Sequence, residues 1–146
     1  FKVEADFDIA NGQQITAGRT FGRDVTVGLR DDQYGNFDLG RQTNLAYDFV
    51  ASTDIYGAAN NAAIAGYQMT ATNMRWDSSV KYTNKLGNFD FGAQYGFGTV
   101  LGQPSSDTAY GVSLGYQESN WSLNSVYQRT HGRIVPVGVV AVDNVD

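Results

Sequence analysis

The feature that most constrains this chain is a strict two-residue alternation of polarity. In Phe89-Asp90-Phe91-Gly92-Ala93-Gln94-Tyr95-Gly96-Phe97 every odd position is apolar or aromatic, and every even one is glycine or polar. That is the pattern of a strand with one greasy and one wet face. The same period runs through Phe1-Lys2-Val3-Glu4-Ala5-Asp6-Phe7-Asp8-Ile9, through residues 74–82 and through Tyr110-Gly111-Val112-Ser113-Leu114-Gly115-Tyr116. Residues 23–30 place Val25, Val27 and Leu29 on one face, and 36–41 form a shorter segment of the same kind. Residues 121–127 follow the period less well, because Val126 falls on the polar face. Residues 135–142 can add a further strand, with Pro136 near its start, where a missing N–H costs least. The expectation is an all-β, antiparallel structure of about seven to eight strands.

Turn signals divide these segments. Asn11-Gly12 tolerates positive φ and predicts a hairpin between the first two strands. Residues 31–35, 84–88 and 118–120 read as short turns. From 42 to 73 the period is lost in Ala, Asn, Thr and Gly, far beyond the usual connection of about 2 to 6 residues. Residues 99–108, with Pro104, form a second long loop. Alternation of short and long connections is the pattern of outer-membrane barrels.

Composition closes other routes. With Cys 0, disulfides and thiolate sites are excluded together. A net charge of −5 with only 10 Lys+Arg leaves no basic face for nucleic acid. The longest apolar run, 134–142, is about half of what a spanning helix needs. His131, the single histidine, cannot by itself build a metal site or a catalytic triad. Asp6 and Asp8, or Asp31 and Asp32, are not followed by a calcium-loop pattern. No nucleophile–base pair or carboxylate dyad stands out. An enzyme is not expected, nor a metal or cofactor.

Periodicity alone does not say whether the apolar face points into a soluble core or out to lipid. Aromatic residues gather near strand ends, as in Phe89, Tyr95, Phe97, Tyr116 and Trp121, where an amphipathic ring prefers a bilayer interface. Gly92, Gly96, Gly111 and Gly115 sit on the opposite face and leave open space there. Both observations favour lipid outside and water inside.

Three segments in order, Arg23-Asp24-Val25-Thr26-Val27-Gly28-Leu29, Tyr34-Gly35-Asn36-Phe37-Asp38-Leu39-Gly40-Arg41-Gln42 and Gly87-Asn88-Phe89-Asp90-Phe91-Gly92-Ala93-Gln94-Tyr95, resemble signatures of the general trimeric Gram-negative porins, most closely the β-proteobacterial branch. The resemblance covers most of residues 1–130. It implies an antiparallel transmembrane β-barrel of the sixteen-stranded porin type, a homotrimer in the cell outer membrane with lipid around it. Its third loop folds into the lumen, and small hydrophilic solutes and ions diffuse past.

Residues 43–72 sit where that constriction loop belongs, and the whole of 1–146 reads as one partial barrel domain. Sixteen strands of about 10 residues need more than about 250 residues, so an internal fragment is expected.

In the family, acidic residues on the loop face arginines on the wall. Arg41 matches the family's Gly-Arg position, and Arg75 lies on the strand after the loop. Alternation sends Arg41 to the side of Phe37 and Leu39, so it reaches the lumen only if Gly40 hosts a bulge or the strand ends there. For Arg75 the expectation is simpler, since apolar Trp76 should face the other way. The family's Pro-Glu-Phe-Gly motif is missing; Asp54 in Asp54-Ile55-Tyr56-Gly57 is the nearest substitute and Asp48 the second candidate acid.

Two other readings stay open: a small eight-stranded membrane barrel with a structural or adhesive role, and a soluble ligand-binding barrel. The long segment argues against the former, because a small closed barrel fills its lumen with side chains.

Overall fold

The computed structural model describes residues 1–16, 18–53, 74–98, 108–131 and 141–142. Its strands are β1 (Lys2–Val3), β2 (Val25–Asp31), β3 (Gly35–Thr43), β4 (Arg75–Leu86), β5 (Phe89–Gly96), β6 (Ala109–Gln117), β7 (Ser122–Thr130) and β8 (Ala141–Val142). One helix, α1 (Leu45–Thr53), follows β3. All strands form one sheet in chain order. Every neighbouring pair is antiparallel except β7 and β8, which run parallel over Tyr127↔Ala141 and Gln128↔Val142.

Local chemistry fixes the short turns. Asp31 Oδ1 accepts hydrogen bonds from the Gln33 and Tyr34 amides, each at 2.8 Å, and folds the chain from β2 into β3. Leu86 pairs with Phe89 across a two-residue turn. Its first residue, Gly87, has φ +59°, where a side chain would be strained. The three short turns lie at one end of the sheet, and the long connections leave from the other.

The two faces differ as the alternation requires. Val27, Leu29, Phe37, Leu39, Val112, Leu114 and Leu123 are all exposed, although large and apolar, and form one face. A contiguous apolar surface of that kind is unusual for a water-soluble protein and ordinary against lipid. Aromatic pairs sit toward both ends of this sheet. Phe89 and Tyr116 lie 4.9 Å apart near the short turns, and Tyr95 and Phe97 lie 5.0 Å apart near the long ones.

The opposite face is mostly polar or glycine, with Trp76, Ala109 and Val126 as apolar exceptions, and carries α1. The buried apolar cluster consists of Leu45, Ala46 and Val126, with Phe49 packed against it. Among the described residues this buried cluster is the seat of one helix on the wall.

Two expectations change. The first strand does not run through 1–9: β1 covers two residues, and Asn11-Gly12 turns a local excursion closed by the Phe7↔Gln14 bridge. β1 still pairs with β2, but across the whole of 4–24. The segment expected to lack regular structure from 42 onward extends β3 to Thr43 and then forms α1. Its residues 54–73 lie outside the described set, as do 99–107 and 135–140, on which the second long loop and most of the last expected strand fall. Val126, which breaks the alternation of β7 by falling on the polar face, does lie on the inner face, where it supports Leu45 and Ala46.

Candidate functional site

The head of α1 is built into the wall. Asn44 caps the helix, its Oδ1 accepting from the Tyr47 amide at 2.8 Å. The Leu45 amide, one of the donors a helix start leaves unpaired, donates to Gln94 Oε1 of β5 at 3.1 Å. Gln94 Nε2 in turn donates to the Thr43 carbonyl at 3.2 Å. From β4, Lys81 Nζ donates to the same carbonyl at 2.8 Å and to Asp48 Oδ2 at 2.7 Å. Thr43 Oγ1 completes the set on Asp48 Oδ1 at 2.6 Å. Gly92 opens the wall for Leu45: a Cβ there would lie 2.9 Å from Leu45 Cδ2. Asp48 is thus on the inner face and bonded to a wall lysine. Asp54 lies outside the described residues.

The arginines lie at the long-connection end of β3 and β4. The pairing of these strands jumps from Gly40↔Ser79 to Gln42↔Trp76, leaving Arg41 opposite both Asp77 and Ser78. The extra residue is therefore on β4 and not at Gly40, and β3 keeps its parity through Val25↔Arg41, which leaves Arg41 on the side of Leu39. Gly40 itself takes φ +126°, and a Cβ there would collide with the Val25 carbonyl. β3 does not end at Arg41. Arg41 donates through Nε to the Gly22 carbonyl and through Nη1 to Asp77 Oδ1, both at 2.9 Å, and Arg19 reaches the same Asp77 oxygen at 2.7 Å.

The bulge also inverts the parity upstream of it. Trp76, expected on the lipid side, shares the face of its partner Gln42 and packs over Gly96, whose Cβ would lie 3.4 Å from the indole. The argument that put Arg75 opposite Trp76 and toward the lumen is reversed with it. Arg75 is buried, donating through Nε to Asp24 Oδ1 at 3.1 Å, while Lys2 Nζ holds Asp24 Oδ2 at 2.7 Å. Burial alone would raise the Asp24 carboxyl, but the hydrogen bonds from Lys2 and Arg75 outweigh it and bring it below the ordinary carboxylate range.

Between α1 and the short-turn half of the wall lies a cavity of about 640 Å³. Its charged lining is Asp31, Asp32, Asp48 and Asp90 against Lys85, four negative groups and one positive. Sequence reading missed Lys81, Gln94 and Val126 as partners of the helix. The available signals were Lys81 and Gln94 on the polar parity of their strands and Val126 breaking it.

The geometry is that of a sheet with an apolar outside, a polar inside and a segment folded onto the inside. The sequence model of the Gram-negative porins matches residues 1–141. The chain belongs to the Gram-negative porin family. An outer membrane porin protein of Bordetella pertussis is 34% identical over 135 residues, an alignment covering 85% of this chain and 35% of that relative. The chain thus spans about a third of the length of the curated relative it matches. Family membership gives this porin a β-barrel fold, an outer-membrane location and a non-enzymatic class, as the alternation and the three motifs led one to expect. It overturns the soluble ligand-binding barrel, whose apolar face would have pointed inward.

Proposed function

We propose that this porin forms a passive diffusion channel for small hydrophilic solutes and ions across the outer membrane, narrowed by the segment that begins with α1. The observation that carries the reading is that α1 seats on the polar face while the apolar face is left for lipid. A helix placed there occupies space that a wide barrel would leave to water. The constriction acids in this reading are Asp48, paired with Lys81 of the wall, and Asp54. Arg41 and Arg75, on the parity of the outer face and paired with Asp77 and Asp24, brace the rim where the long connections leave. Sixteen strands and a homotrimer belong to the same proposal.

A small closed barrel is less well supported, since among the described residues no pairing joins β8 to β1. Single-channel recording in planar bilayers, on the protein as the cell produces it, tests the reading. Discrete ohmic steps are expected, with cation preference lowered by Asp48→Asn. A folded, bilayer-inserted protein without steps would overturn it.

A further inference from the structure

We propose that Lys81 and Gln94 are positioning residues: together they latch the head of α1 to the barrel wall and so fix the width of the passage. The inference rests on the diffusion-channel reading and assigns the parts that hold its narrowest segment in place.

The latch is built from three unlike contacts converging within one helical turn. Lys81 supplies charge, binding Asp48 Oδ2 at 2.7 Å. The Lys81 side chain is 11% exposed and that of Asp48 40%, so the pair is buried on the wall side and open on the helix side. Gln94 supplies a neutral amide that both accepts from the Leu45 amide and donates to the Thr43 carbonyl. Gln94 is 3% exposed, and its Nε2 also lies 3.4 Å from Ser79 Oγ, which orients the amide along the wall. Gly92 and Val126 supply the apolar seat for Leu45.

Lys81 and Gln94 are direct cross-strand partners on β4 and β5, so one rung of the sheet presents both groups. Gln94 bonds the amide of Leu45, the first residue of α1, and Lys81 bonds Asp48 one turn on. Both also bond the carbonyl of Thr43, the last residue of β3, which fixes the strand end from which the helix starts.

A latch and a fixed wall charge give different results. If Lys81 acts only through its charge, Lys81→Met and Asp48→Asn shift ion preference in opposite directions, and the size limit for neutral solutes stays put. If it acts as a latch, both variants loosen α1 and raise the permeation rate of a neutral sugar near the size limit by about twofold. Gln94→Leu, which changes no charge, does the same. The exchange Lys81→Asp with Asp48→Lys restores the ion pair but not the bond to the Thr43 carbonyl, and recovers part of the original limit.

Liposome swelling with neutral sugars of graded size reads these outcomes, with heat-modifiable gel migration confirming folded barrels. A spin label on Ser52→Cys, an exposed position of α1, reads the helix directly whether or not the channel conducts. Faster label motion in Lys81→Met and Gln94→Leu is expected. Unchanged label motion in both variants would overturn the latch. Absence of sugar flux in the parent protein, with label motion still responding, would overturn the channel reading alone.

Discussion

The pairing of β5 with β6 and that of β3 with β4 make an instructive contrast. β5 and β6 run unbroken from Phe89↔Tyr116 to Gly96↔Ala109, and every side chain falls on the face its parity assigns. β3 and β4 keep step from Asn36↔Thr83 to Gly40↔Ser79, then slip at Arg41 and continue as Gln42↔Trp76. Both are built from alternating sequence. The first pair separates two uniform surroundings, and nothing competes with the pleat. The second ends where Arg41, Asp77, Arg75 and Asp24 form ion pairs and where the chain turns inward to start α1. A bulge re-aims side chains where bonding to neighbours outweighs regular pairing. Alternation thus reports the surroundings of a strand, and its failures mark places where tertiary contacts dominate.

The largest test of this contrast lies at the irregular end. Asp24→Leu leaves the buried Arg75 guanidinium without its carboxylate and is expected to cost about 3 to 5 kcal/mol in urea unfolding from micelles. A cost near zero would make the ion pairs incidental to the bulge. Next comes the regular pair. Val112→Arg puts a charge on the apolar face in mid-strand and should cost about 2 to 4 kcal/mol, while Ser113→Arg, one residue on and on the inner face, should cost far less. Equal costs would mean that the faces are not in different solvents.

Smaller still is Val126→Ala, which removes the seat of Leu45 and should cost about 1 to 2 kcal/mol by calorimetry. The smallest effect is pH dependence. Asp24 titrates below its unfolded value of about 3.9, so its contribution is full above roughly pH 4 and is lost as pH falls through the folded value. Replacement by Asn should remove that acid limb and leave the slope between pH 5 and 7 unchanged.

Much of the fold was legible in the sequence because a membrane-type sheet needs only period two and turn chemistry. Asn84-Lys85-Leu86-Gly87-Asn88 marked the β4–β5 turn, and Phe89 to Phe97 marked β5 almost to the residue. Helix α1 was not legible. Leu45, Ala46, Phe49 and Val50 recur at helical spacing, yet nine residues are too few to show without the wall they pack on.

The site was legible in part. Asp48 could be named as an acid on the inward segment, but not its partner, because Lys81 lies 33 residues away and only strand register brings the two together. The face of Trp76 was misjudged for the same reason: the bulge that turns it depends on Arg41 and Asp77, which meet only after β3 and β4 have paired.

The central claim is that the apolar face meets lipid and the face carrying α1 meets water. Since the chain has no cysteine, single probes can be placed at Val112→Cys and Ser113→Cys, adjacent residues of β6. In bilayers, a fluorophore at position 112 is expected to be quenched by lipid-borne quenchers and to resist water-soluble ones, with the reverse at 113. Water-soluble quenching at 112 together with lipid quenching at 113 would contradict the account.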